Sequence, residues 1–250
     1  MKPSIPKPPS VPPKGREVLC DYNKTSPLQG RLKGATILTG SMCTGSVRYW
    51  AAALAAGRVI IDPDERHLPL RHSHHRYSIC GPNGPQNLTV PLVGETANMA
   101  TPMREVRISE HGNWRRLHWG ALYSAYGRTP YFDHIAPELE PIIVGGHQTH
   151  LLDLNTQLLR LIVDFMDLPI EFNAQCDDSQ CPMISSDLSV NDLRGKIDGK
   201  RGDNLPIIDV PYYQLWATRH GFVPRLSILD LLMNEGRAGI LTLMRMVKLC

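Results

Sequence analysis

One stretch close to residue 35 limits the fold more than any other. Ala35-Thr-Ile-Leu-Thr39 is a short, apolar, β-branched run that ends at Gly40. Small residues lead through Gly45 and Ser46 into Val47 to Ala56, which reads as a helix stopped by Gly57. Arg58-Val-Ile-Ile61 then reads as a second strand. Two strands connected through a helix have no tight turn between them, so the unit is expected to be βαβ with its strands parallel.

A hairpin follows. Tyr77 and Ile79 alternate on one strand, and Leu88, Val90 and Leu92 on its partner. Between them, Asn83-Gly84 is a two-residue turn signal, but Pro85 would fill the fourth turn position without an N–H to close it. The expected connection is a wider loop stiffened by Pro82 and Pro85. Arg104 to Ser109, REVRIS, alternates like a further strand. From Asn113 the chain turns helical. Asn113 is the expected N-cap of a helix to about Tyr126. A shorter helix near Phe132 to Val144 is interrupted by Pro137 and Pro141, and a strongly amphipathic one covers His150 to Met166. Leu168 to Phe172 looks like a strand. Ser227 caps a helix over Ile228 to Asn234, and a last helix covers Ile240 to Val247. The fold class expected is α/β or α+β: a mixed sheet with an N-terminal βαβ unit and hairpin, then a mainly helical second half.

Residues 1–34 are rich in Pro, Lys, Ser and Gly without periodic hydrophobicity, and read as a disordered or loosely attached extension. Residues 35–250 are long enough for one domain with a sizeable core. A net charge of +3 gives no footing for a nucleic-acid binder driven by bulk charge. No apolar run approaches the roughly 18 residues of a membrane span, and the Pro-rich start is not expected to serve as a secretory signal. Six scattered cysteines fit free thiols in a reducing cytoplasm.

Candidate chemistry centres on three places. NWRRLHWGALYSAYGRTPYFD, residues 113–133, holds two of the four Trp and one of the four Phe. On helical spacing Trp114, His118, Leu122 and Tyr126 share a stripe, with Trp119 and Tyr123 beside it. Either this helix is buried on most sides with His118 bonded to backbone, or its aromatics floor a polar ligand site. In the second case His118 is the catalytic candidate, and Trp114, Arg115 and Tyr126 are ligand-binding. Cys43 lies in Gly40-Ser-Met-Cys-Thr-Gly45 between strand and helix, where a thiol of lowered pKa is a candidate nucleophile. The basic run around His72-Ser-His74-His75 offers Arg71, His74 and Arg76 for an anionic group such as a phosphate, diphosphate or carboxylate. A metal needs further ligands at convincing spacing, and none is assigned here. Cys176 and Cys181 form one pair rather than the two of a structural zinc site. No Walker, dinucleotide-binding or G-x-S-x-G pattern occurs.

Three stretches together resemble the bacterial WbqC-like family, particularly its members from Bacteroidetes. They are YSICGPNGPQNLTVP from Tyr77, WRRLHWGALYSAYGRTPYFD from Trp114, and PYYQLWATRHGFVPRLSILDLLMNEG from Pro211. Their order and spacing agree over roughly residues 35–240. The family usually carries a Tyr-Phe-Pro or Tyr-x-Pro-Pro segment after the first strand; here Ser41-Met-Cys-Thr-Gly-Ser46 stands in its place. The resemblance implies a cytoplasmic bacterial protein of surface-polysaccharide (O-antigen, lipopolysaccharide) biosynthesis. Its implied partner is a nucleotide-activated or lipid-linked sugar, and its implied activity a group transferase. The rival reading is a non-catalytic protein that binds a glycan precursor or scaffolds other enzymes. Neither a cofactor nor an oligomeric state follows from the sequence.

Overall fold

The computed structural model describes residues 35–66, 72–98, 100–173, 190–194, 196–197 and 207–247. The N-terminal extension, Arg71 and the Cys176/Cys181 pair lie outside the described residues.

Strand β1 (Thr36–Thr39) pairs in parallel with β2 (Arg58–Ile61), Ile37 opposite Val59 and Leu38 opposite Ile60. The βαβ unit is therefore present. Two three-residue strands widen the sheet: β5 (Glu171–Asn173) beyond β2 and β6 (Val190–Asp192) on the other side of β1. All four strands are parallel, in the order β5-β2-β1-β6. The central strands bury one face fully, with Ile37 and Val59 wholly buried, while Leu38, Arg58 and Ile60 on the other are only partly covered or exposed.

Helix α1 (Val47–Ala56) makes the crossover. It lies between the sheet and two later helices, so its VRYWAAALAA sequence is buried nearly all round and small residues predominate. Ser46 caps it by accepting the Tyr49 N–H at 3.1 Å. The turn before it requires glycine twice over. Gly45 has φ +69°, and a Cβ there would come within 2.8 Å of the Trp50 indole nitrogen. That nitrogen donates to Thr44 O at 2.8 Å, which fixes the loop to the helix.

Strands β3 (Arg76–Gly81) and β4 (Gly84–Thr89) form a separate antiparallel hairpin. Its ladder runs to Gly81 opposite Gly84, so the connection is two residues, Pro82-Asn83, and not the wider loop expected. The turn is shifted one residue from the Asn-Gly reading: Pro82 takes the first central position, and Gly84, at φ +102°, closes it. Pro85 then faces Cys80 in a pair that exchanges no backbone hydrogen bonds, where its missing N–H costs nothing. The Cys80 N–H donates instead to the Tyr126 hydroxyl at 3.3 Å. Tyr77 and Ile79 face the core. Arg76 and Ser78, opposite Thr89 and Asn87, make the other face polar.

The alternation at 104–109 does not produce a strand. Met103–Glu105 is a 3-10 turn, because the Met103 and Arg104 N–H groups donate back to Glu65 O and Pro63 O. Only isolated bridges follow, Arg107 with His150 and Ile108 with Leu92.

Helix α2 (Trp114–Tyr126) starts at Asn113, but Asn113 has left-handed backbone (φ 50°) and its side chain caps nothing. Helix α3 (Phe132–Ile143) runs unbroken through both prolines. Pro137 and Pro141 are four residues apart on the solvent side, where water can serve the orphaned carbonyls. Phe132, Ile135, Leu139 and Ile143 hold the opposite face in the core. Helix α4 (Leu151–Met166) packs against α3 through its leucine stripe. After the short α5 (Ala217–His220), Ser227 caps α6 (Ile228–Glu235), and α7 (Gly239–Met246) lies against α1. Residues Ile228 to Asn234 of α6 are all buried, which makes it the central helix of the second half. The α/β class, with its βαβ unit, hairpin and helical second half, is as the sequence predicts. No helix of the described residues is long and apolar enough to cross a membrane.

Candidate functional site

The starts of α1 and α6 meet end to end. Val47 N–H donates to Leu226 O at 2.9 Å, and Ile228 N–H to Gly45 O at 3.0 Å. Ser46 and Ser227 bridge, and the Thr44 and Ser227 hydroxyls lie 2.7 Å apart. The first donors of each helix thus satisfy the chain entering the other. What remains is electrostatic: two positive helix ends directed at one place. The polar hairpin face closes on this junction, with Ser227 N–H donating to Ser78 O at 2.8 Å.

A pocket of ≈ 260 Å³ lies between them. Ser46 and Ser227 line its helix side, Arg76, Ser78 and Asn87 its hairpin side, and Arg225 the entering loop. Arg76 is anchored by Nε, which donates to Thr89 Oγ1 at 2.9 Å. Its terminal guanidinium nitrogens have no partner among the described residues and remain available to an anion. Arg225 has φ 60°, a left-handed conformation that costs a non-glycine residue on the order of 1–2 kcal/mol. Its Nε lies 3.5 Å from Asp209 Oδ2. Two arginines and two helix N-termini make the pocket positive. No carboxylate, thiol or imidazole is among its lining side chains within the described residues.

His118 stands behind this pocket. It is 5% exposed, with Nδ1 3.1 Å from the Tyr77 hydroxyl and Nε2 3.1 Å from Thr89 O. Thr89 faces Arg76 in a pair that exchanges no backbone bonds, so its carbonyl is free to accept. That assigns the proton to Nε2 and leaves Nδ1 to accept from Tyr77. Burial pushes the imidazole pKa down to about 4, against a smaller upward pull from Thr89 O. The ring is therefore neutral, with the Trp114 and Tyr77 rings edge-on at 5.0 and 5.5 Å. An imidazole open to an aromatic-lined cleft is replaced by one with both nitrogens occupied.

Cys43 requires a correction. Its thiol is buried, and burial pushes its pKa up to about 12, the reverse of an activated nucleophile. It lies three positions before the Ser46 cap, outside the first turn in which a helix dipole acts. Its N–H donates to Ser73 O at 3.0 Å, tying this loop to the basic segment. His74 turns away from the pocket: Nδ1 lies 2.6 Å from Ser41 O and Nε2 4.0 Å from Glu65 Oε2. Asn155 of α4 joins them, donating to Ser41 Oγ and His74 O at 2.8 and 2.9 Å. Arg115 is a clamp. It holds Glu110 at 2.9 Å and Ile143 O at 3.2 Å, and lies 4.6 Å over the Trp114 ring. Among the described residues no three His, Cys, Asp or Glu side chains gather as metal ligands.

Tyr126 is wholly buried and belongs to a different polar cluster, around Asp230 of α6. Tyr212 donates to Asp230 Oδ2 at 2.7 Å and Gln214 at 3.1 Å, and Tyr126 also bonds this carboxyl. Burial nevertheless dominates and pushes Asp230 up to about 6.

Of the sequence candidates, Arg76 reaches the pocket, and His118 bonds Tyr77 behind it. Sequence reasoning missed Asn87, Arg225 and the pocket-facing role of Ser227. The Ser227 cap was legible. Arg225 was not, since a left-handed backbone at arginine leaves no mark in composition or periodicity.

The model of the WbqC-like protein family matches residues 48–191, more than half of the chain. The chain is also similar to Uncharacterized protein Rv1507c of Mycobacterium tuberculosis (strain ATCC 25618 / H37Rv). The two are 29% identical over 194 residues, covering 69% of this chain and 82% of that protein. No solved structure matches the chain.

Proposed function

Because the chain belongs to the WbqC-like protein family, we propose that it handles a phosphorylated, activated sugar in the cytoplasmic stage of bacterial surface-polysaccharide synthesis. The family name is associated with O-antigen biosynthesis, and the pocket supplies the chemistry. The observation that carries the reading is the meeting of Arg76, Arg225 and two helix N-termini around one ≈ 260 Å³ space. A phosphate there gains charge-assisted hydrogen bonds from guanidinium groups, each on the order of 1.5–3 kcal/mol.

The lining favours binding of a precursor over chemistry performed on it, because no carboxylate, imidazole, thiol or lysine is among the described lining residues to activate its serine hydroxyls. A group transferase is the second reading. In it Arg76 and Arg225 would stabilise the charge developing on a departing phosphate, with the acceptor supplying its own nucleophile. In the bacterium that carries this chain, deleting the gene is expected to remove or shorten a surface glycan. An allele with Arg76→Ala and Arg225→Ala is expected to reproduce that loss. An unchanged glycan profile in the deletion strain would overturn the proposal.

A further inference from the structure

The hairpin wall of the pocket is neutral where the rest is basic. Ser78 and Asn87 face each other in the ladder as a pair without mutual backbone bonds, the geometry that brings side chains closest. The Ser78 hydroxyl donates to Asn87 Oδ1 at 2.5 Å. With this bond Oδ1 is engaged, and the Nδ2 group keeps two donors. Ser78 Oγ keeps its lone pairs as acceptors. Two residues along the same strand and on the same face, Arg76 holds its charged end over the basic part. The Cα atoms that carry the charge clamp and the neutral donor–acceptor pair thus lie one strand step apart, about 6.5–7 Å. A separation of that order lets one sugar ring reach from its phosphate to its far hydroxyls.

Size points the same way. At ≈ 260 Å³ the space falls just under the roughly 300–1,000 Å³ of sites that enclose a whole drug-sized ligand. It accommodates one ring and one phosphate. A nucleobase would also need a face to stack on. The aromatic residue lining the pocket is Tyr77, which is 7% exposed with its hydroxyl engaged by His118.

We infer that the pocket takes a sugar phosphate as one ring and one phosphate, the phosphate between Arg76 and Arg225 and the ring hydroxyls on Ser78 and Asn87. Any nucleoside attached to that phosphate stays outside the pocket. The inference rests on the phosphorylated-sugar reading above and narrows it.

The full chain is titrated with inorganic phosphate, a set of hexose 1-phosphates differing in epimer, the free hexoses, and uridine monophosphate. At least one hexose 1-phosphate is expected to bind ten times more tightly than phosphate or more. Uridine monophosphate is expected to bind no better than phosphate, and free hexoses not measurably. Asn87 is exposed, so Asn87→Ala leaves the fold intact; it is expected to erase the tenfold gain while phosphate still binds. Arg76→Ala with Arg225→Ala is expected to abolish both. Uridine monophosphate binding as well as the best hexose 1-phosphate, or a gain that survives Asn87→Ala, overturns this inference and leaves the phosphate pocket standing. A wild-type chain that binds none of the phosphates overturns the pocket reading, and this inference with it.

Discussion

Arg76 and Tyr77, neighbours in sequence, are secured by one small circuit. Arg76 Nε holds Thr89 Oγ1, Thr89 O holds His118 Nε2, and His118 Nδ1 holds the Tyr77 hydroxyl. His118 therefore touches the pocket wall and not the pocket. Its removal leaves the Tyr77 hydroxyl and Thr89 carbonyl buried without a partner, but leaves the Arg76–Thr89 bond intact. His118→Ala is expected to lose roughly 1–3 kcal/mol of stability in denaturant unfolding while phosphate affinity stays within a few-fold of wild type. Near-normal stability with binding lost would instead make His118 a ligand contact. Arg225 predicts the opposite pattern. Its left-handed backbone is strained for arginine and comfortable for glycine. Its ion pair with Asp209 is half exposed and contributes little. Arg225→Gly is expected to keep or slightly raise the thermal midpoint and to weaken phosphate binding at least tenfold; a lowered midpoint would show that the strain reading fails.

At the scale of elements, the hairpin shows what local sequence can and cannot specify. The alternation of Tyr77 and Ile79 against Arg76 and Ser78 gave the correct faces, because a strand has a strict period of two. The connection is tighter than the wider loop expected, because Pro82-Asn83 is as good a turn pair as Asn83-Gly84 and keeps Pro85 out of the closing position. The decision between them rests on where Pro85 falls in the ladder, and so on register. Gly84 carries the consequence at φ +102°. Gly84→Ala is expected to cost about 1–3 kcal/mol, read from the shift in urea midpoint, whereas a wider, adaptable loop would absorb the change with no shift. Helix boundaries were legible where caps and apolar stripes coincide, as at Ser227 and along Leu154, Leu158 and Leu161. They were less so at α3, where burial of Ile135, Leu139 and Ile143 outweighs two proline breaks. The 104–109 run alternates correctly but makes only isolated bridges, since the Met103 and Arg104 N–H groups at its start are already bonded to the loop after β2.

Across the whole molecule, the pocket joins residues 45–46, 73–87 and 225–227, and no periodicity links positions so far apart in the chain. The same long-range assembly buries two groups whose titrations oppose each other. His118, lowered to about 4 by burial, stays neutral in the fold while an unfolded histidine takes up its proton near 6.5. Between those values the unfolded chain binds the extra proton. Stability therefore falls as pH drops from about 6.5 to 4, by about 3 kcal/mol in all. Asp230, raised to about 6 mainly by burial, keeps its proton in the fold while the unfolded carboxyl loses it near 3.8. There the folded chain binds the extra proton, and stability falls as pH rises from about 3.8 to 6, again by about 3 kcal/mol. The windows overlap between pH 4 and 6, and the two slopes, each at most about 1.4 kcal/mol per pH unit, nearly cancel. Asp192, drawn down to about 2 chiefly by the Arg194 hydrogen bond, acts below this window. Asp230→Asn removes one side of the balance. Relative to wild type, its stability in urea unfolding at pH 4, 5 and 6 is expected to climb with pH by about 1 kcal/mol per unit. His118→Gln is expected to decline with pH over the same range by a similar amount. Parallel profiles for all three proteins would mean that neither group carries a shifted pKa, and that the core around α6 admits water.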